Sequence, residues 1–239
     1  YAGHSLLGAA DYHLTYQDKA LGRSVYTFCM CPGGFVVATA SEPGQVVTNG
    51  MSYYARDSGV GNSALVVTLF PEDWGKTTLG GMEFQQELEE KAFRMGGGNY
   101  RAPAQRLVDF MAHQYNDEAD YTLATYKPGI TPANLGELLP HPLGQVMERG
   151  IQYWHRRMAG FIHERAVLTG IETRTSAPVR IERGSQLHSV NVNNLYPCGE
   201  GAGYAGGIVS AAVDGLKVAE QIMATYQPPE EKPLINDES

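Results

Sequence analysis

The chain is short of cysteine, short of positive charge and without any long apolar run, and each shortage excludes a class of protein. Three cysteines in 239 residues cannot staple a disulfide-dense secreted scaffold. Cys29 and Cys31 flank Met30, but no further cysteine or histidine lies near them at ligand spacing, so no metal site is expected. The seven histidines are scattered without ligand spacing. Eighteen Lys and Arg against 26 Asp and Glu give a formal charge of −8, which leaves no basic face for nucleic acid. The one basic cluster, His155-Arg156-Arg157, reads as a solvated helix face. No stretch approaches the roughly 18 apolar residues that a membrane span requires. Thiols without a signal-like leader make a reducing cytoplasm the expected location. There is also no Ser/His/Asp ordering, Walker loop or paired-carboxylate signature.

What the chain has is glycine, 28 residues of it, gathered in short runs at Gly33-Gly34, Gly96 to Gly98 and Gly199 to Gly207. Clustered glycine marks backbone that turns sharply or lies close to something else. With 43% hydrophobic residues, the chain can build one or two packed domains. Residues 1–70 read as β-rich. Ser24 to Cys31 and Phe35 to Ala40 are β-prone runs separated by Pro32-Gly33-Gly34, which predicts a tight hairpin with core thiols. Pro43-Gly44 and Asn49-Gly50 read as turns, and Ser63 to Phe70 as a buried strand.

From about residue 79 to 162 the period becomes helical. Phe84, Leu88, Ala92 and Met95 share a face, with Glu87 and Lys91 outside and the triple glycine as terminator. A second helix is expected from Pro103, with Ala104, Leu107, Val108 and Met111 as its stripe. Residues 116–132 read as loop, Asn134 to Leu139 as weakly helical, and Leu143 to Phe161 as helix. Ala166 to Ile181 then reads as strand, and Asn194 to Pro197 as a short strand feeding the last glycine cluster. The expected organisation is a substrate-type domain over 1–165, a second domain part over 166–226, and a disordered tail over 227–239.

The richest segment is Leu195 to Met223. Five glycines fall between Gly199 and Gly207, with one acid, Glu200, among them, and a long helix follows. Ile208, Ala211, Ala212, Gly215, Ala219 and Ile222 are expected on its packed face, with Ser210, Asp214, Lys217 and Gln221 outside. A glycine-rich helix start presents free N–H groups and the positive end of the helix dipole, which suits a phosphate. Glu200 is placed to accept hydrogen bonds from sugar-like hydroxyls. A packing-only reading competes, because glycine also lets helix and sheet approach closely. The acid, the double glycine and the small-residue helix face together favour an extended ligand carrying phosphate and hydroxyls.

Two further positions stand out as weak catalytic candidates. Cys31, with Cys29, is either a redox partner of a bound cofactor or a core thiol, and core packing is the favoured reading. Arg174, in Glu172-Thr173-Arg174-Thr175, either fixes an anionic substrate or a reduced cofactor's charge, or pairs with Glu172 or another acid.

The segment from Leu195 resembles the C-terminal FAD motif of two-dinucleotide-fold flavoproteins. CPGG at Cys31 to Gly34, VVTNGMSYYARD at Val46 to Asp57 and GGGNYRAPAQ at Gly96 to Gln105 extend the resemblance. So do TGIETRTSAPVRI at Thr169 to Ile181 and PCGEGAGYAGGIVSAAVDG at Pro197 to Gly215. Together, from about Gly8 to Ala224, they are similar to the uncharacterised FAD-dependent (NAD(FAD)-utilizing) dehydrogenases, relatives of flavoproteins with an inserted substrate domain. The resemblance implies an α/β (α+β) fold: a β-rich and helical substrate-type domain, then the last strands and long helix of an FAD-binding domain. It implies FAD as cofactor, with Glu200 toward the ribityl hydroxyls and Gly206, Gly207 and Ile208 as backbone donors. Gly199, Gly201, Gly203, Tyr204 and Ala205 complete that binding segment.

The family opens on a G-x-G-x-x-G strand–turn–helix for the ADP half of FAD; the G-x-G-x-x-G spacing of this chain, Gly201 to Gly206, lies instead in the C-terminal segment, so weak FAD binding or none is expected of it alone. The chain is therefore expected to be a fragment whose partner is the N-terminal FAD-binding half of the same polypeptide. A small-molecule substrate is implied, with NAD(P)H as a candidate co-substrate. Two rivals are a scaffold domain that has lost the cofactor and a flavin enzyme acting on a macromolecule such as tRNA.

Overall fold

The structure is a computed structural model that describes Leu6 and residues 14–226. The disordered tail expected over 227–239 lies outside the described residues. The fold is α+β, built from small sheets and several helices. The described residues fall into two compact units that divide between Thr175 and Ser176.

The first unit opens with β1 (Thr15–Asp18) and β2 (Arg23–Cys31), an antiparallel hairpin. Asp18 fixes its turn: one carboxylate oxygen accepts from the amides of Ala20 and Leu21, both at 3.0 Å. The other accepts from Arg149 at 2.8 Å. That Arg149 bond, with the turn amides, holds the Asp18 carboxyl below its usual range. β3 (Gly34–Ala38) and β4 (Thr48–Ser52) follow as a two-stranded antiparallel sheet. β5 (Asn62–Val67) then pairs with the far edge of β2, giving a three-stranded order β1-β2-β5.

This pairing corrects the hairpin expected at Pro32-Gly33-Gly34. β2 and β3 do not pair; the turn carries the chain from one sheet to another. Backbone packing explains the glycines. Gly33 has a φ of +52°, and a Cβ there would sit 2.0 Å from the Arg56 carbonyl oxygen. Nor is Asn49-Gly50 a turn. Both residues lie inside β4, opposite Val37 and Val36, and a Cβ on Gly50 would meet the Asn62 side chain at 2.1 Å. Turn propensity at Asn-Gly yields here to close approach.

α1 (Gly80–Met95) is where the periodicity places it, with Leu88 and Ala92 buried. Gly96 caps it, donating its amide to Ala92 O at 2.8 Å. The helix expected from Pro103 is instead a buried strand, β6 (Ala102–Arg106), followed by the single helical turn α2 (Leu107–Met111). β7 (Ile130–Pro132) pairs with β6 in parallel, inside the segment read as loop. α3 (Leu135–Leu138) and α4 (Leu143–Arg157) come next. β8 (Val167–Thr169) closes the other side of β6 antiparallel.

Pro103 lacks an amide and contributes only its carbonyl, which accepts from Gly170 N at 2.9 Å. Partners on both sides outweigh local helix preference, and the small Ala102 and Ala104 side chains bury completely between them. Gln105 is buried in the same strand with both ends of its side-chain amide engaged: the nitrogen donates to Gln114 O at 2.7 Å and the oxygen accepts from Leu135 N at 2.8 Å. The strand expected over 166–181 shrinks to the three residues of β8, because only they have β6 alongside.

The core of this unit joins Val25, Leu88, Leu107, Phe110, Leu138, Val146, Ile151 and Trp154. α4 buries Leu143, Val146, Gly150, Ile151 and Trp154 on one stripe. Gly150 allows that approach: a Cβ there would stand 2.2 Å from Val25 Cγ1.

The second unit holds α5 (Ile208–Thr225), the long helix expected. Asn194 to Pro197, expected as a strand, has no strand geometry. The helix face is also corrected. Asp214, expected outside, is buried with Val218, whereas Ile208, Val209, Leu216 and Met223 are 88%, 76%, 66% and 69% exposed. The reason is an ion pair described below. No described helix is long and apolar enough to cross a membrane.

Candidate functional site

The glycine loop ahead of α5 is built on two left-handed glycines, Gly199 at φ +73° and Gly203 at φ +82°. Gly203 N donates to Glu200 O, and Tyr204 N to Gly199 O, both at 2.9 Å. Gly203 is glycine for two reasons, its φ and a Cβ position 2.6 Å from Val179 O.

Asp214 reaches back from α5 to this loop. Its carboxylate accepts the Gly199 amide at 2.9 Å and pairs bidentately with Arg183 at 2.9 and 2.7 Å. The Arg183 bond and then the Gly199 amide hold the Asp214 carboxyl below its usual range. Arg183 also donates to Pro197 O at 2.8 Å, and its guanidinium lies 3.7 Å from the Tyr204 ring centroid. Arg180 covers the same ring at 5.0 Å and donates to Gly203 O at 3.0 Å. Arg180 is thus engaged with the loop. Tyr204 completes the arrangement by donating its hydroxyl to Ile181 O at 2.9 Å. Arg183 and its pairing were missed in the sequence, because 31 positions separate it from Asp214 and no local signal links them.

Beyond the loop, Ala205 is half-buried and Gly207 is the N-cap of α5 in extended backbone, φ −172°. No side chain caps the helix, so the first-turn amides, Ile208 among them, stay available. A Cβ on Gly201 or Gly206 would meet nothing within 4 Å, and on Gly207 only Ser210 Oγ at 3.9 Å. None of the three has positive φ. Neither torsion nor packing among the described residues requires glycine there. The Glu200 carboxylate is half-buried and has no hydrogen-bond or ion-pair partner among the described residues. The loop therefore offers a free carboxylate, free amides and cleared space side by side in sequence, a combination suited to hydroxyls and phosphate.

The two weak catalytic candidates lie in the first unit. Cys31 borders a shallow cleft of about 360 Å³ with Met30, Pro32, Ser52 and Arg56. Its thiol donates to Cys29 O at 3.3 Å. Neither thiol is in the core: Cys29 is exposed and Cys31 half-buried, because a β-bulge between Phe28 and Cys31 turns this end of β2 aside. Arg174 pairs with an acid, and that acid is Glu89 of α1. Its Nε and Nη2 donate to the buried carboxylate at 3.0 and 2.9 Å, Thr173 donates to the same carboxylate at 2.5 Å, and Ser41 accepts from Nη1. Glu172, the other possible partner, lies apart from it, and burial pushes its carboxyl up to about 7. Its contact is a 3.5 Å bond from Asn49 Nδ2.

The model of the family described as FAD-dependent protein, C-terminal domain-like, matches residues 1–175. The chain belongs to that family. The matched residues are those of the first unit, so the glycine loop and α5 lie beyond the match. An uncharacterised protein of Clostridium beijerinckii (strain ATCC 51743 / NCIMB 8052) is 53% identical over 227 residues, 95% of this chain. The chain spans 43% of that relative's length. Membership in the FAD-dependent family makes FAD the family's cofactor, and the glycine loop has donors and space consistent with one end of such a molecule.

Proposed function

We propose that this chain is part of an FAD-dependent dehydrogenase, in which an electron pair passes between a small-molecule substrate and an acceptor, with NAD(P)H as a candidate co-substrate. When bound, the flavin supplies the redox chemistry, and the protein binds and orients it. Glu200 accepts from the ribityl hydroxyls, and the backbone of Gly206, Gly207 and Ile208 faces the pyrophosphate and flavin edge. Gly199, Gly201, Gly203, Tyr204 and Ala205 shape the segment that carries them.

One observation carries this reading. Gly201, Gly206 and Gly207 are glycine where neither backbone torsion nor any neighbour among the described residues demands it. Clear space and uncapped amides, here beside the unpaired Glu200 carboxylate, leave room and partners for an occupant. The exposed stripe of α5, Ile208, Val209, Val213, Leu216 and Met223, supports the same reading from another side. An apolar helix face of that length in water is costly, and the remaining polypeptide of a protein over twice this length would cover it. The ADP-binding half of the FAD site then belongs to that polypeptide, and the whole protein works in the reducing cytoplasm.

The test is colour. Full-length protein purified from cells should show flavin absorbance and release FAD on denaturation. A preparation that is colourless and stays so with added FAD overturns the proposal and favours a scaffold domain. Glu200→Ala should lower the flavin content of the full-length protein, and unchanged content would remove Glu200 from its assigned role.

A further inference from the structure

The Arg183–Asp214 pair sits where a helix, a loop and a tyrosine ring converge, and its position is not accounted for by burial alone. Both side chains are only about a tenth exposed, at 10% and 12%, and every strong contact they make leads to the glycine loop. Asp214 holds the amide of Gly199, the residue immediately before Glu200. Arg183 holds the carbonyl of Pro197 on the other side of Cys198, and stacks on Tyr204 at the loop's end. The loop from 197 to 204 is thereby tied at its entrance and at its exit to the first two turns of α5. Gly199 at φ +73° is the torsion that this tie fixes, and the torsion sets where the next residue, Glu200, departs from the backbone.

We propose that Arg183 and Asp214 are positioning residues for the ligand of the glycine loop: they hold Glu200 and the Gly206-Gly207 helix start in the arrangement that receives FAD. The inference rests on the reading of this loop as an FAD site. Its physical basis is preorganisation. A loop with three glycines in eight residues is costly to order, and a ligand that had to order it on binding would lose affinity by that cost. A bidentate, nearly buried ion pair that orders it beforehand removes the cost from the binding step. No other acid faces the Arg183 guanidinium among the described ion pairs, and Tyr204 and Cys198 are its remaining charged or titratable neighbours.

Asp214→Asn keeps the shape and an acceptor for Gly199 but removes the charge, and Arg183→Lys keeps the charge but removes the fork and the ring stacking. In full-length protein stripped of flavin, two quantities should be read: FAD affinity by titration, and amide hydrogen exchange across residues 197–204. Both variants should show faster exchange over that loop and an FAD affinity weaker by tenfold or more, with the helical circular dichroism of wild type. Faster exchange with unchanged FAD affinity overturns the positioning role while the flavin site stands. Unchanged exchange overturns it as well. If wild-type protein takes up no FAD, the flavin reading itself fails. Should Asp214→Asn not fold, Arg183→Lys carries the same two measurements.

Discussion

The two units of this chain lean on different glycines, although each holds both kinds, Gly144 standing clear in the first and Gly203 packed in the second. In the first, Gly33, Gly34, Gly50, Gly96 and Gly150 are all sites where a Cβ would strike another atom at 2.8 Å or less. Those glycines are consumed by packing: they let sheet meet sheet and α4 meet β2. In the second unit, Gly201, Gly206 and Gly207 face open space, and α5 shows an apolar stripe to solvent. At these positions the first unit fills the space with its own residues, whereas the second leaves clear space and an apolar helix face exposed. Glycine content alone does not separate the two cases. What a Cβ would meet does.

The contrast predicts where substitution hurts the fold and where it hurts only binding. Trp154 is 1% exposed and anchors α4 in the core. Trp154→Ala should cost about 3–5 kcal/mol in denaturant unfolding, and a smaller loss would mean that the first unit is less complete than its packing implies.

Glu172 sharpens the same point through pH. Its folded-state carboxyl is raised from the ordinary 4.5 to about 7 by burial. Below pH 4.5 it is protonated in both states and costs nothing. As pH rises toward 7 the unfolded chain releases its proton first, so the folded state loses stability, and the loss stays constant above 7. Glu172→Gln should therefore be more stable than wild type at pH 8 by roughly 1–3 kcal/mol, with the gap closing by pH 4. A gap that is the same at both pH values would break this account.

Gly150→Ala should destabilise by about 1–3 kcal/mol, because Val25 and α4 must separate to admit the methyl. Gly206→Ala is the counterpart and the smallest effect on the fold. It should change unfolding free energy by less than about 0.5 kcal/mol. Yet it should reduce flavin retained by full-length protein, measured as FAD released per polypeptide. If Gly206→Ala destabilises as strongly as Gly150→Ala, the difference between the units disappears.

Legibility in the sequence followed the range of the interactions. α1, α4 and α5 were readable because a 3.6-residue period is a local property that their own residues carry. β6 was not, since Ala102 to Arg106 has a proline at a helix-starting position and becomes a strand only through partners at 130–132 and 167–169. The hairpin at Pro32-Gly33-Gly34 misled for the same reason: the turn signal is local, but strand pairing is not. At the candidate site, the glycine run and Glu200 were visible as residues, while Arg183 was not, and Asp214 was assigned to solvent. Periodicity counts Asp as polar and therefore outward, whereas a bidentate arginine 31 positions away makes it the best-buried residue of the helix with Val218.

The sequence by itself determined the family, the long helices and the glycine-rich approach to α5, because these rest on residue identity and short-range spacing. Only the tertiary structure decided which glycines are filled by neighbours and which stand clear. It also decided that Arg174 is neutralised by Glu89 and that Arg183 and Asp214 tie down the loop. The physical reason is the same throughout: a side chain's polarity is local, but whether its charge or its missing Cβ is matched depends on atoms that arrive from distant parts of the chain.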